Sequence, residues 1–140
     1  MNHINTRPCF LFIVFLFILN SCTIEDPVDP QTGDDRDKFK GTWLFTETPA
    51  ARNISYSVYI TNDPSNSSQV LLRNMGNLGG SVSAYGIATS TKIVIPSQET
   101  YEGFIIEGSG SVSGTDMMEW EYTIIAGGDI ESYSALATKQ

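Results

Sequence analysis

The chain has 140 residues, with 8 Lys and Arg against 16 Asp and Glu for a formal net charge of −8, 41% hydrophobic residues, 17% charged residues and 2 cysteines. That length fits a single domain, and glycines without a period, few Leu and Ala and only two cysteines exclude collagen-like, coiled-coil and disulfide-framework proteins. An acidic surplus with no Lys/Arg cluster excludes unaided binding of nucleic acid, because phosphate backbones are recognised by dense positive charge.

Residues 1–8 carry one strong positive charge, Arg7, and residues 9–19 (CFLFIVFLFIL) form an unbroken apolar run of eleven. A membrane-crossing helix needs about 20 apolar residues and a secretory h-region about 7 to 15, so residues 1–21 are expected to be a signal peptide. Leu19, Asn20, Ser21 and Cys22 resemble the bacterial lipobox, in which cleavage precedes the Cys and its thiol is diacylated. Asn20 departs from the small residue usual there. The resemblance implies a mature chain that begins at lipidated Cys22 and sits on a membrane through its acyl chains, two or three of which anchor stably at about 0.8 kcal/mol per buried methylene. Removing residues 1–21 takes away Arg7, Cys9 and His3, leaving 7 basic against 16 acidic residues, a net charge of −9, one cysteine and no histidine.

Residues 23–38 (TIEDPVDPQTGDDRDK) hold six carboxylates, two prolines, a glycine and two aliphatic side chains. So little apolar surface cannot offset ordering entropy, which predicts a disordered, self-repelling tether that reaches up to about 50 Å when stretched. Thr23 is not the Asp that retains lipoproteins on the inner membrane. Glu25 and Asp26 resemble the acidic export tag of some Gram-negative surface lipoproteins, implying an outer-membrane, outward-facing address; equally, they keep a linker solvated.

Residues 39–140 lack a helical period, are rich in Ser, Thr, Gly, Tyr, Val and Ile, and carry turn signals every 8 to 14 residues. The pattern predicts an all-β fold, an eight-stranded antiparallel up-and-down barrel or alternatively a β-sandwich, with strands near 40–48, 54–62, 69–75, 82–89, 92–98, 103–112, 117–126 and 130–138. Alternation is clearest where Ile54, Tyr56, Val58 and Ile60 share one face, and where Met118, Trp120, Tyr122 and Ile124 do.

Two hairpins can be registered from turn chemistry. A three-residue loop at Gly114, Thr115 and Asp116 sets Val112 opposite Met118, Gly110 opposite Trp120, Gly108 opposite Tyr122 and Ile106 opposite Ile124. Gly127 and Gly128 suit a two-residue mirror-image turn, which pairs Tyr122 with Tyr133, Trp120 with Ala135 and Met118 with Ala137. Trp120 then lies between Gly110 and Ala135, large between small, as a tightly curved interior requires. On the opposite face Ile105, Ile125 and Ile130 fall side by side. They need a cover, such as the Phe39 segment or a loop, or else they are a docking patch for another protein.

Lys40, Gly41, Thr42 and Trp43 resemble the Gly-x-Trp opening of calycins, the lipocalins, fatty-acid-binding proteins and avidins, in which a Trp closes one end of the barrel. Thr115 and Asp116 lie where lipocalins carry Thr-Asp-Tyr, with Met117 replacing the Tyr, and only Lys139 stands in for the Arg of the last strand. More broadly, residues 22–140 resemble a set of short bacterial surface lipoproteins through KFKGTW at 38–43, Asn77-Leu78-Gly79, IPSQ at 95–98, Gly108-Ser109-Gly110 and 120–123. That resemblance implies a lipid-anchored β-barrel domain and brings no activity with it.

With no His in the mature chain and its thiol acylated, Ser-His-Asp and Cys-His catalysis and His/Cys zinc sites are out of reach. Glu119 and Glu121 share a strand face about 7 Å apart, with Glu107 across the hairpin, but the face is the outward one, so a solvated surface is expected rather than a carboxylate pair. Residues 63–68 (DPSNSS) lack the spacing of a calcium loop and read as an Asp-Pro turn. No catalytic residue, metal site or cofactor is therefore expected. Two readings of function remain. One is a filled barrel that acts through its surface on a protein or other partner. The other is a barrel that binds a small apolar ligand or a glycan in a cavity lined by Trp43, Tyr56, Trp120 and Tyr122.

Overall fold

The computed structural model describes residues 33–48 and 54–140. The expected signal peptide, Cys22 and the acidic pair Glu25 and Asp26 lie outside the described residues.

Period-two alternation along the domain produces eight strands: β1 (Gly41–Thr48), β2 (Ser55–Asn62), β3 (Gln69–Arg73), β4 (Ser83–Ala88), β5 (Lys92–Tyr101), β6 (Phe104–Gly114), β7 (Met117–Ala126) and β8 (Asp129–Lys139). Each is antiparallel to the next, and β1 pairs with β8 as well as with β2, which closes the sheet into a barrel and rules out the sandwich alternative. Closure satisfies the hydrogen-bonding groups that an edge strand would expose. One face of each strand goes inward: Tyr56, Val58 and Ile60 of β2, and Met118, Trp120, Tyr122 and Ile124 of β7, are buried while their neighbours meet solvent.

Both registered hairpins form as the turn chemistry dictates. β6 and β7 pair Val112 with Met118, Gly110 with Trp120, Gly108 with Tyr122 and Ile106 with Ile124. The link differs in detail from a three-residue loop. Gly114 already pairs with Met117, so Thr115 and Asp116 make the turn and the extra residue becomes a bulge before Gly114. Between β7 and β8, Gly127 (φ 61°) and Gly128 (φ 96°) take the left-handed region, and Tyr122 meets Tyr133, Trp120 meets Ala135 and Met118 meets Ala137.

The end of the barrel where β1 begins and β8 finishes is sealed. Phe39 is fully buried, and its carbonyl accepts a 2.7 Å hydrogen bond from Nε1 of Trp43. Lys139 places its Nζ 5.5 Å from the centre of the Trp43 ring and donates to the Lys38 carbonyl at 2.9 Å. A cation on the last strand thus covers the indole from outside.

The approach to β1 is more ordered than its composition predicts. Residues 37–39 form a 3₁₀ turn, and the guanidinium of Arg36 donates through Nη1 to the carbonyls of Asp63 (3.2 Å), Asn66 (2.8 Å) and Gln69 (3.0 Å). Asp34 braces the same guanidinium at 2.5 Å. Residues 33–38, expected within the disordered tether, therefore lie against the β2–β3 loop. One arginine with a fork of donors outweighs the polar composition around it. The loop itself is a pair of side-chain turns, Asp63 accepting from the Ser65 amide at 2.7 Å and Asn66 from the Ser68 amide at 3.0 Å.

Candidate functional site at the barrel mouth

Inward-facing side chains change character along the barrel axis. In the middle, Phe45 packs between Tyr56 and Trp120, with ring centres 5.7 and 5.5 Å away. Trp120 lies directly against Gly110, where an added Cβ would sit 2.1 Å from the ring. One layer further from the sealed end the interior becomes polar. Tyr122 donates to Oε1 of Glu47 at 2.5 Å, and because that hydroxyl has a single proton, the 2.8 Å contact between the Tyr56 and Tyr122 hydroxyls must be donated by Tyr56. Glu47 is the one buried charged side chain among the described residues.

Above this layer, β8 continues the ladder. Tyr133 stacks on Tyr122 with ring centres 5.1 Å apart and donates to Glu131, and Asp129 follows on the same face. A cavity of about 290 Å³ opens here, lined by Leu78, Phe104, Ile124 and Ala126 on its apolar side and by Asp129, Glu131 and Tyr133 on its acidic side, with Gly76 at its margin.

The shelf that carries Gly76 and Leu78 is fixed by Asn74. Its backbone is left-handed (φ 64°), its Oδ1 accepts from the Gly79 amide at 2.8 Å, and its Nδ2 donates to the Ser57 carbonyl at 2.9 Å. Met75 is buried beneath the shelf.

Three inward phenols of this layer, Tyr56, Tyr122 and Tyr133, are pushed up. Burial raises Tyr56 and Tyr122 far above the ordinary tyrosine range. The hydrogen bond to Glu131, with burial behind it, pushes Tyr133 up to about 12. A phenol held this firmly in its neutral form donates hydrogen bonds and does not serve as a base near neutrality.

The four aromatic residues that would line a cavity in the ligand-binding reading, and fill the interior in the other, do not line this one. Trp43, Tyr56, Trp120 and Tyr122 are all core side chains, and Trp43 belongs to the sealed end. Ile105, Ile125 and Ile130 do lie side by side on the outer face. Ile130 is 68% exposed, the other two are half-buried, and Phe39 is in the core and covers none of them. Glu107, Glu119 and Glu121 face solvent, and both carboxylate oxygens of Glu121 accept from the Ser134 hydroxyl.

Glu47, Asp129, Glu131 and Tyr133 were not singled out by sequence. Their phase was readable, since Trp43, Phe45 and Glu47 alternate, and the Gly127 turn that pairs Tyr122 with Tyr133 places Glu131 and Asp129 on the same face. What no pattern supplied was the β1–β8 register, which sets Glu47 beside Ala135. No family model matches this sequence, and no curated protein is similar to it.

Proposed function

We propose that this chain is a lipid-anchored, non-enzymatic lipoprotein of the bacterial outer membrane, whose barrel acts through its surface on a protein or other extracellular partner. The observation that carries this reading is the occupation of the interior by Trp43, Phe45, Trp120 and Tyr122. Among the described residues Phe45 packs on both Tyr56 and Trp120, and Tyr56 meets Tyr122 through their hydroxyls, so the middle of the barrel is occupied and contact with another molecule falls to the outer face and the mouth.

Two further observations support it. The carboxylates that share the outward strand faces, Glu107, Glu119 and Glu121, point into solvent, and the buried tyrosines are held protonated rather than activated. The Ile105, Ile125 and Ile130 row leaves apolar surface uncovered beside Glu107, Thr123 and Ser132, which is the chemistry of a contact site.

The test is carried out on the full chain in a Gram-negative host. An alkyne-tagged fatty acid is incorporated, and the label disappears in Cys22→Ala. A photo-reactive side chain at Ile130 gives a discrete cross-linked band that is absent when the same group is placed at Ser111. Labelling that survives Cys22→Ala contradicts the anchor, and identical cross-linking from both positions contradicts a contact site at the isoleucine row.

A further inference from the structure

The mouth cavity goes beyond a surface contact and stands independently of it. We infer that it is a binding site for an amphipathic cation, an ammonium or guanidinium group on a short apolar stem. Its walls are divided: Leu78, Phe104, Ile124 and Ala126 make one side, and Asp129, Glu131 and Tyr133 the other. At about 290 Å³ it is at the lower bound of small-ligand cavities, which suits a compact molecule or a single side chain.

Charge selects among occupants. Glu131 accepts from Tyr133, while Asp129 has neither a salt bridge nor a hydrogen-bonded side-chain partner among the described residues. Behind them Glu47 adds a third inward carboxylate, already engaged by Tyr122.

The described cations are elsewhere. Arg36, Lys38, Lys40 and Lys139 surround the sealed end, Lys92 starts β5 at that same end, and Arg73 is exposed on the outer face of β3. Among the described residues, an anion in the cavity would meet two carboxylates without a counter-charge. A wholly apolar ligand would strip water from Asp129 and Glu131 and return no partner. A cation with an apolar stem satisfies both walls more strongly than a neutral donor, its charged head on Asp129 and Glu131 and its stem against Phe104 and Ile124.

The same chemistry is presented by a free amine and by a Lys or Arg side chain of a polypeptide, and matched probes separate the two. The ¹⁵N-labelled full chain is titrated with phenethylamine, with its neutral analogue 2-phenylethanol, with the anion 3-phenylpropanoate, and with N-acetyl-lysine methylamide. Expected are saturable amide shifts at Leu78, Ala126, Gly128 and Tyr133, none at Trp43 or Lys139, and a Kd of about 1 mM for a cation of this size.

The alcohol should bind at least about tenfold more weakly and the acid not at all. In Asp129→Asn/Glu131→Gln the amine loses at least about tenfold, while the rest of the spectrum stays in place because both residues are exposed. Preference for phenethylamine over the lysine derivative identifies a free amine as the source, and the reverse identifies a polypeptide side chain. An alcohol that binds as tightly as the amine, an undiminished affinity in the double variant, or shifts scattered over the outer face would each overturn the site.

Discussion

The side-chain amide of Gln98 pairs with the backbone of Tyr85 on both sides, accepting from its amide at 2.9 Å and donating to its carbonyl at 2.8 Å. A side chain here takes the place of a neighbouring strand. β4 and β5 share backbone pairing only at Ile87 with Val94 and Ala88 with Ile93, and beyond Ile95 the register of β5 shifts around Pro96, which has no N–H to give. The Gln98 amide bridges the gap where the two strands part. The IPSQ stretch therefore has a mechanical meaning, a proline that bends the strand and a glutamine that repairs the seam.

Gln98→Ala leaves the Tyr85 amide and carbonyl without protein partners. Both bonds are exposed, so water takes over the freed groups, and we expect a loss of about 0.5–1.5 kcal/mol in urea unfolding and faster hydrogen exchange at Tyr85 than at Val58. Gln98→Glu keeps the acceptor and loses the donor, so it should fall between wild type and alanine. Unchanged exchange at Tyr85 in both variants would show that the seam is held by something else.

Among the described glycines, Gly110 is the one where a side chain would fall nearest to a neighbour, the ring of Trp120. A methyl group at 110 would fall 2.1 Å from the indole, so Gly110→Ala should destabilise the domain by about 1–3 kcal/mol or more. Trp120→Phe removes part of the obstructing ring, along with an indole N–H that has no partner among the described residues. It also opens a cavity. The cost of Gly110→Ala measured in the Trp120→Phe background should therefore be clearly smaller than in wild type, and equal costs in the two backgrounds would refute the contact.

Alkali should unfold the protein from the mouth. The folded chain keeps the protons of Tyr56, Tyr122 and Tyr133 that an unfolded chain releases near pH 10, so stability is intact below pH 10 and declines as pH rises through about 12, where Tyr133 ionises. Absorbance at the phenolate band should resolve a late step that Tyr133→Phe alters. Glu131→Gln removes the carboxylate that the phenolate would face, and should lower the Tyr133 transition towards 10.

Arg36 is expected to be the pin of the sealed end. Arg36→Ala should expose residues 33–38 and the β2–β3 loop to limited proteolysis, and Arg36→Lys should rescue little, because one ammonium cannot reproduce the fork that spans three carbonyls and Asp34. The Asp34 carboxyl is held down to about 2, chiefly by its hydrogen bonds with Arg36. Its contribution is therefore present above pH 3.8 and fades as pH falls towards about 2. Protection of the loop from protease should follow that acid range in wild type and be absent throughout in Arg36→Ala.

Much of the barrel was legible because its strands alternate and its turns are chemically marked. The Gly127 and Gly128 turn fixed one hairpin, and apolar matching between 106–112 and 118–124 fixed the next. The mouth was harder to read, for two physical reasons. Inward-pointing Glu47, Asp129 and Glu131 look like solvated strand positions until the barrel is closed, and closure depends on a β1–β8 pairing more than eighty residues apart in the chain. The Arg36 dock was hidden in the same way, by a loop whose carbonyls only the folded chain brings together. The four aromatic residues that sequence allowed either as ligand lining or as filling are core, and Phe45 lies between two of them, Tyr56 and Trp120.

The proposed function needs a filled middle to the barrel, and the two tryptophans report on it directly. Trp43 is 2% exposed and Trp120 1% exposed, at the sealed end and in the middle of the barrel. Acrylamide quenching of the folded protein should give a single weak constant, several-fold below that of the urea-unfolded chain, and saturating phenethylamine should leave it unchanged. Quenching of either tryptophan at the unfolded value would mean an open or unclosed barrel, and would contradict the filled core on which the functional reading depends.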